Sequence, residues 1–292
     1  MRLRPLLLLL LGVISVSFAA IFIRLAEAPA LVIAMYRLVI ASLLILPFTW
    51  KSAATALKSI DGRTVIQVIM AGVFLAAHFM LWITSLEYTS IASSVILVTA
   101  HPVFVAAVSY VLWKEKLNRL SILGIIIAMA GIVTISGGGL ALGSGVFIGN
   151  TMALTAGLFA ASYLMIGRVV REKINAAAYL LSVYGTAAAV LLALTLLTGA
   201  ELTGYSQTTY VMFFLLAIIP QLLGHSSFNL AARIMPVTIV SVAILGEPVG
   251  ATLLGIFILG ERPGAAEIIG GGVILLGIYL VLKGGRVWFQ RP

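Results

Sequence analysis

Cysteine is absent from this 292-residue chain. That excludes disulfides and thiolate metal sites, and it says little about compartment because almost no chain lies between the apolar segments. Charge is scarce too: Asp, Glu, Lys and Arg make up 9% of the residues, against about 25% in an ordinary soluble domain. No linker, low-complexity tract or soluble domain is present, and the longest polar connection, 50–63, is short and basic. There is no GxSxG, HExxH, CxxC or Walker loop, and the acids inside apolar segments are too isolated for paired-carboxylate chemistry. The expectation is a protein that is not an enzyme, holds no cofactor and does not use ATP directly. Three histidines without HxxxH or HxxE spacing give no metal signal.

What is there is apolar: 62% of the residues are hydrophobic. Ten stretches, 6–26, 30–49, 64–85, 91–112, 119–137, 145–167, 175–198, 208–231, 236–259 and 265–283, are each long enough as a helix to cross a bilayer core of about 30 Å. The fold class expected is an all-α membrane protein with ten transmembrane helices. The net charge of +9 would suggest nucleic acid in a soluble protein, but here its distribution decides. With Arg2 and Arg4 in the cytoplasm, alternate loops place 15 of the 18 basic residues inside, leaving Arg24 and Arg262 outside and Arg37 within the second span. Both termini are therefore expected in the cytoplasm, in a multi-pass protein of the cytoplasmic (inner) membrane. MRLRPLLLLLLGVISVSFAA starts like a signal peptide, yet its apolar stretch continues to Ala26, past the roughly 7–15 residues of a signal core, so a retained first helix is expected.

Slid along itself by 146 residues, the chain superposes Pro102 on Pro248, Val103 on Val249, Glu115 on Glu261, Gly124 on Gly270 and Gly131 on Gly277. Residues 1–140 and 141–292 then form two repeats of five helices, and the odd number makes the second enter the membrane from the other side. Inverted repeats of this kind place a site near the midplane at the repeat interface. Gly145, Gly149, Ala153, Gly157 and Ala161 recur every four residues, a stripe for close helix approach, and Gly246 and Gly250 form a shorter one.

Glu247 lies about 12 residues into the ninth span, where a carboxylate costs roughly 2.5–3.5 kcal/mol or more. Pro248 beside it withholds a donor and displaces the carbonyl of Ile244. His101-Pro102 is the equivalent pair. These four residues are the candidates for coupling or gating, with a proton as candidate coupling ion. The competing reading has a protonated, hydrogen-bonded acid and prolines that merely kink. Gln221, His225 and Asn229 share one helical face, as do His78, Trp82 and Ser85. Matched under the repeat, they suggest two walls of a cavity, although interhelical hydrogen bonds worth about 0.6–2 kcal/mol each explain them equally. Ser15, Phe18, Ser94, Thr99 and Tyr163, with Ser162, are further cavity candidates. Arg37, eight residues into its span, either binds a carboxylate or snorkels to the outer interface, the favoured expectation. Glu115 and Glu261 are read as architectural, each complementing the N-terminal dipole of the helix that follows it.

With Pro102, Glu115, Gly124 and Gly131 repeated as Pro248, Glu261, Gly270 and Gly277, the chain resembles the ten-helix, EamA-type members of the drug/metabolite transporter superfamily. The likeness covers the whole chain and is strongest over 225–280, at Asn229, Glu247-Pro248 and Gly260-Glu261; Arg37 matches a family arginine, whereas Lys114 and His101 depart from the pattern. The resemblance implies a secondary carrier with a central cavity walled by helices 1, 3, 4, 6, 8 and 9, helices 5 and 10 lying at the periphery, with the bilayer and a small-molecule substrate as its partners. Many members export amino acids or related metabolites, and others move nucleotide sugars, phosphorylated sugars or drugs. Few buried cations argue against phosphorylated substrates. Export of small metabolites, amino acids first, by alternating access is the expectation; a passive channel or facilitator and a carrier of drugs, sugars or nucleosides stay open. Oligomeric state is not legible in the sequence.

Overall fold

A computed structural model of the chain describes residues 3–113, 118–170, 173–225, 227–228, 231, 240 and 243–284. Among these residues the structure is helical, without a strand. The first span is α1, Leu3–Ser17, followed after a single turn residue by α2, Ala19–Leu25. Then come α3, Ala30–Ser59, and α4, Gly62–Tyr88. The fourth span is again in two pieces, α5, Ile91–Val98, and α6, His101–Trp113. Long helices α7, Arg119–Leu142, α8, Ser144–Val170, and α9, Ala176–Leu197, follow. The eighth span begins as α10, Gln207–Leu216, and widens into a π-helical stretch, Ala217–Gly224. Last are α11, Gly246–Leu259, and α12, Ala265–Gly284. Eight of the described segments are long and apolar enough to cross a membrane, and the shorter apolar helices Ile91–Val105 and Gly246–Leu259 occupy the places of the fourth and ninth spans.

Helix starts follow from short polar side chains placed just before apolar runs. Asp61, Ser90, Asn175 and Ser206 each accept the backbone N–H three residues on, capping α4, α5, α9 and α10. The Thr64 hydroxyl, and less strongly Lys173 at 3.6 Å, holds the Asp61 carboxyl below its usual range. That cap is thus at full strength above the ordinary carboxylate range and is lost only as pH falls through the lowered value. The widening in the eighth span has a cause in Pro220, which has no N–H to give and whose ring crowds the preceding turn. The His225 N–H closes the stretch on the Pro220 carbonyl.

The repeat is visible in how the helices meet. A Cβ on Gly124 would lie 2.6 Å from the Gly277 carbonyl oxygen, and one on Gly131 would lie 2.7 Å from that of Gly270. Gly124 and Gly270 are repeat equivalents, and so are Gly131 and Gly277. Each glycine thus packs against the equivalent of the other, antiparallel, as a two-fold axis between α7 and α12 requires. These two helices pack chiefly on each other. The stripe on α8 works as expected at Gly149, where a Cβ would come within 2.8 Å of the Tyr88 Cβ, and at Gly157, 2.9 Å from the Val98 carbonyl; Gly145 faces open space. Gly246 and Gly250 let α11 lie against Val13 and Ser17 of α1.

At Gly277 the space for a Cβ is closed by backbone, 2.5 Å from the Ala128 nitrogen, so no rotamer change admits a side chain. Gly277→Val is expected to cost about 1–3 kcal/mol as an overpacked contact. Gly272→Ala, with nothing within 4 Å, is expected to be neutral or slightly stabilising. Thermal unfolding of the two variants in the same detergent checks this; equal midpoints would remove the glycine contact as the reason α7 and α12 pair.

Candidate functional site

The centre of the molecule is organised by Arg37, which does not snorkel. It is the eighth residue of α3, about 10 Å along the helix from its start, and only 1% exposed. Its Nε donates to the Gln221 Oε1 at 2.8 Å. Its guanidinium carbon lies 4.1 Å from the centre of the Phe79 ring and 5.8 Å from that of Trp82. A guanidinium is weakly hydrated and flat, so an aromatic face and one amide replace part of its water. Among the described residues Nη1 is buried without a hydrogen-bond partner, and so is the indole Nε1 of Trp82.

Around this cation the structure gathers several of the sequence candidates. The His78 ring lies parallel to that of Trp82, with centres 6.2 Å apart, and its Nδ1 is 3.0 Å from the Ala156 carbonyl oxygen. Gln221 is buried and placed by the π-helical stretch. His225, exposed one turn further on, is within electrostatic reach of Arg37, His78 and His101. Glu247 is the acid that acts on Arg37. Tyr184 of α9 brings its hydroxyl against Gln221. Phe79, Tyr184 and the central position of Arg37 are the parts that sequence reasoning missed. A lone arginine deep in an apolar span was the available signal. The centre therefore draws on helices 2 and 7, which are not among the walls implied by resemblance, together with helices 3, 6, 8 and 9.

The two Glu/His-Pro pairs sit at breaks rather than at kinks. Leu245 interrupts the ninth span, so Gly246, Glu247 and Pro248 form the first turn of α11. A proline costs little there, since the N–H it lacks would have had no helical acceptor, and a carboxylate in a first turn meets the positive end of the helix dipole. Thr99 and Ala100 likewise separate α5 from α6, with Pro102 in the first turn of α6. The His101 ring bonds back to the Val98 carbonyl at the end of α5, satisfying an acceptor that the break would otherwise orphan. The first span breaks at Phe18, after Ser17 turns its hydroxyl onto the Val13 carbonyl at 2.7 Å, a bond that bends helices.

The remaining candidates are placed less centrally. Ser15 is buried against Gly224 of the π-helical stretch, and Phe18 stacks on Phe22. Ser94 is bonded at 2.7 Å to Ser85, whose hydroxyl also reaches the Trp82 carbonyl. Thr99 is buried at the end of α5, and Tyr163 stacks on Tyr179 within reach of Tyr184. Asn229 and Glu115 lie outside the described residues. Among the described residues no cluster of histidines and acids could hold a metal ion.

At the face opposite the amino terminus, here the distal face, lies a polar seal. Arg24 at the end of α2 pairs with Glu261 at 3.2 Å and donates to the Thr89 carbonyl at 2.9 Å. Glu261 also accepts the Ile91 N–H at 2.9 Å. It therefore complements the start of α5 and not that of α12, as the sequence suggested, because the chain after α11 crosses over the fourth span. The start of α12 is served by Glu267, which accepts from Gly264 at 2.6 Å and from Ser93 at 2.7 Å. Thr89 donates to Asn150 of α8 at 2.7 Å. Five spans are thus tied together over the Arg37 centre.

Comparison with known proteins agrees with this arrangement. The model of the EamA-like transporter family matches residues 3–137 and again 147–283. The chain is 26% identical over 242 residues to YxxF, an uncharacterized transporter of Bacillus subtilis (strain 168), covering 82% of this chain and 77% of that one. It is 24% identical over 268 residues to an uncharacterized transporter of Archaeoglobus fulgidus, covering 90% and 91%. A solved crystal structure with 15% sequence identity superposes at a TM-score of 0.64 over all of both chains, which shows the shared fold. Two consecutive matches to one family model, on a helical membrane chain with repeat-related contacts and a charged centre, place this protein in the EamA-like transporter family, as a membrane transporter of small molecules.

Proposed function

We propose that the protein is a secondary transporter of the cytoplasmic membrane that exports small metabolites, amino acids first among them, by alternating access around the Arg37 centre, with both termini in the cytoplasm. The observation that carries this reading is that, among the described residues, a buried cation, Arg37, and an intramembrane acid, Glu247, act on each other in a centre whose other polar groups are uncharged amide, phenol, indole and imidazole side chains. A zwitterion with an apolar remainder offers the complementary charges and a surface for Phe79 and Trp82. Among the described residues a dianionic phosphate would find a single buried cation, and repulsion from Glu247. Helix breaks at Leu245 and at Thr99-Ala100 in repeat-related spans supply the hinges, and the Arg24–Glu261 seal is the distal gate in its closed form. Opening the distal face would part that pair and free the first turn of α5.

The test is efflux of a labelled amino-acid mixture from proteoliposomes holding the pure protein, against empty liposomes, with and without an imposed pH gradient. Protein-dependent, saturable loss of particular amino acids, stimulated by the same amino acid on the other side, is the expected result. Flux without saturation or counter-stimulation would make the protein a channel. Retention of every amino acid under both conditions would remove amino acids as substrates and move the search to sugars, nucleosides and drugs.

A further inference from the structure

Among the described residues two buried donors in the centre have no acceptor: Nη1 of Arg37 and Nε1 of Trp82. The residues are 1% and 4% exposed, so neither atom has bulk water within reach. The guanidinium carbon is 5.8 Å from the centre of the Trp82 ring, so the two residues that carry these donors are neighbours. Neither group can accept a hydrogen bond. Leaving such donors unpaired in a dry site is costly, most of all for a charged one. Among the other guanidinium donors Nε is already spent on Gln221, and the flat face lies against Phe79. What remains is a directional site for an oxygen anion, lined by aromatic rings.

We infer that Arg37 and Trp82 form a carboxylate receptor, and that a substrate must present a singly charged carboxylate to them. The inference rests on the reading of this centre as the transport site and narrows its substrate class. One oxygen of the carboxylate takes Nη1–H of Arg37, the other takes Nε1–H of Trp82, and Glu247 stands where an ammonium on the same molecule is held. Sugars, nucleosides and cationic drugs lack the required carboxylate. Gln221 acts as a positioning residue, since its amide oxygen fixes the guanidinium edge-on and leaves Nη1 pointing free.

Thermal unfolding of the full-length protein in detergent measures this directly, with benzoate and L-phenylalanine as probes and benzamide and L-phenylalaninamide as their uncharged or carboxylate-free counterparts. The two carboxylates are expected to raise the unfolding midpoint in a saturable way, and the two amides are not. Trp82→Phe keeps the ring and removes one donor, so the concentration giving half the effect should rise about tenfold. Arg37→Gln should abolish the effect, and Arg37→Lys should restore only part of it, because an ammonium lacks the planar fork. Lys51→Gln, at an exposed position of α3 away from both the centre and the seal, should leave the carboxylate response intact. Equal responses to acid and amide, an undiminished response in Trp82→Phe and Arg37→Lys, or no response to either carboxylate at tens of millimolar would each overturn the inference. Its failure is separable from that of the export reading. Amino-acid efflux that survives Arg37→Gln sinks the receptor alone, whereas carboxylate binding without any amino-acid efflux sinks the choice of amino acids alone.

Discussion

Glu247→Gln is expected to abolish export driven by a pH gradient while leaving the protein folded and still able, at raised substrate concentration, to exchange substrate for substrate. The amide has the volume and hydrogen-bonding reach of the acid but cannot exchange a proton. Glu247 is in the first turn of α11, at a break in the ninth span, and it acts on Arg37 across the centre. An acid placed between a cation, a substrate and a hinge is where proton release and helix movement can be linked. Folding should tolerate the change, because the helix-dipole support lost with the charge is about 0.3–1 kcal/mol, and a neutral side chain is easier to keep in the membrane. Efflux from proteoliposomes with an imposed pH gradient, beside counterflow without one, separates the two activities. Full gradient-driven efflux in the variant would take Glu247 out of the coupling role and turn attention to His78 and His225, which are also within electrostatic reach of Arg37.

Glu261→Ala should open the distal face. Arg24 and Glu261 are 34% and 23% exposed, so the ion pair alone is worth about 0.2–1 kcal/mol. Loss of the carboxylate that caps α5 at Ile91 adds about 0.5–2 kcal/mol. Both interactions belong to the closed arrangement, so removing them shifts the population toward the open one. About 1.4 kcal/mol corresponds to tenfold in that equilibrium. The natural absence of cysteine gives a clean background for reading it. In a Ser94→Cys chain the thiol takes the place of a hydroxyl that is fully buried one turn below the seal. Adding Glu261→Ala should raise its rate of modification by a membrane-impermeant maleimide roughly tenfold. The rise should occur in vesicles of one orientation only, which also reports the side on which the distal face lies. Glu261→Gln, which keeps an oxygen for Ile91 but loses the charge, should fall between. An unchanged rate in the Ala variant would mean that the seal is not the gate.

The spans, the inverted repeat and the family were legible in the residues, and for a reason. In hydrocarbon a backbone has to satisfy itself, so an apolar run of about 20 residues becomes a helix almost regardless of its surroundings. Repeated glycines mark helix contacts because nothing else permits backbones to touch, as Gly124, Gly131, Gly270 and Gly277 do. The site was legible only in part. His78, Trp82, Gln221, His225 and Glu247 stood out as polar or titratable groups in apolar runs, and each lies in contact with, or within electrostatic reach of, Arg37 or its aromatic neighbours. Ser94 and Tyr163 stood out on the same ground, yet Ser94 is bonded to Ser85 and Tyr163 stacks on Tyr179. Being polar within a span shows that a side chain needs a partner, not which partner it has.

Arg37 and Glu261 mark the boundary most clearly. From the sequence, an arginine eight residues into a span had a path to the interface, and a glutamate before α12 had a helix start to serve. Which groups come within hydrogen-bonding distance depends on chain segments up to 184 residues apart, as Arg37 and Gln221 are. Hydropathy and helical period are properties of neighbours along the chain, so the sequence by itself determined ten apolar spans, their two-fold repetition and the kinds of polar group buried in them. Only the tertiary structure decided that a guanidinium would be sheltered by Phe79 and Gln221 with a donor to spare, and that Glu261 would close the fourth span instead of starting the tenth. Those outcomes are set by directional contacts between distant segments, whose energies no local pattern records.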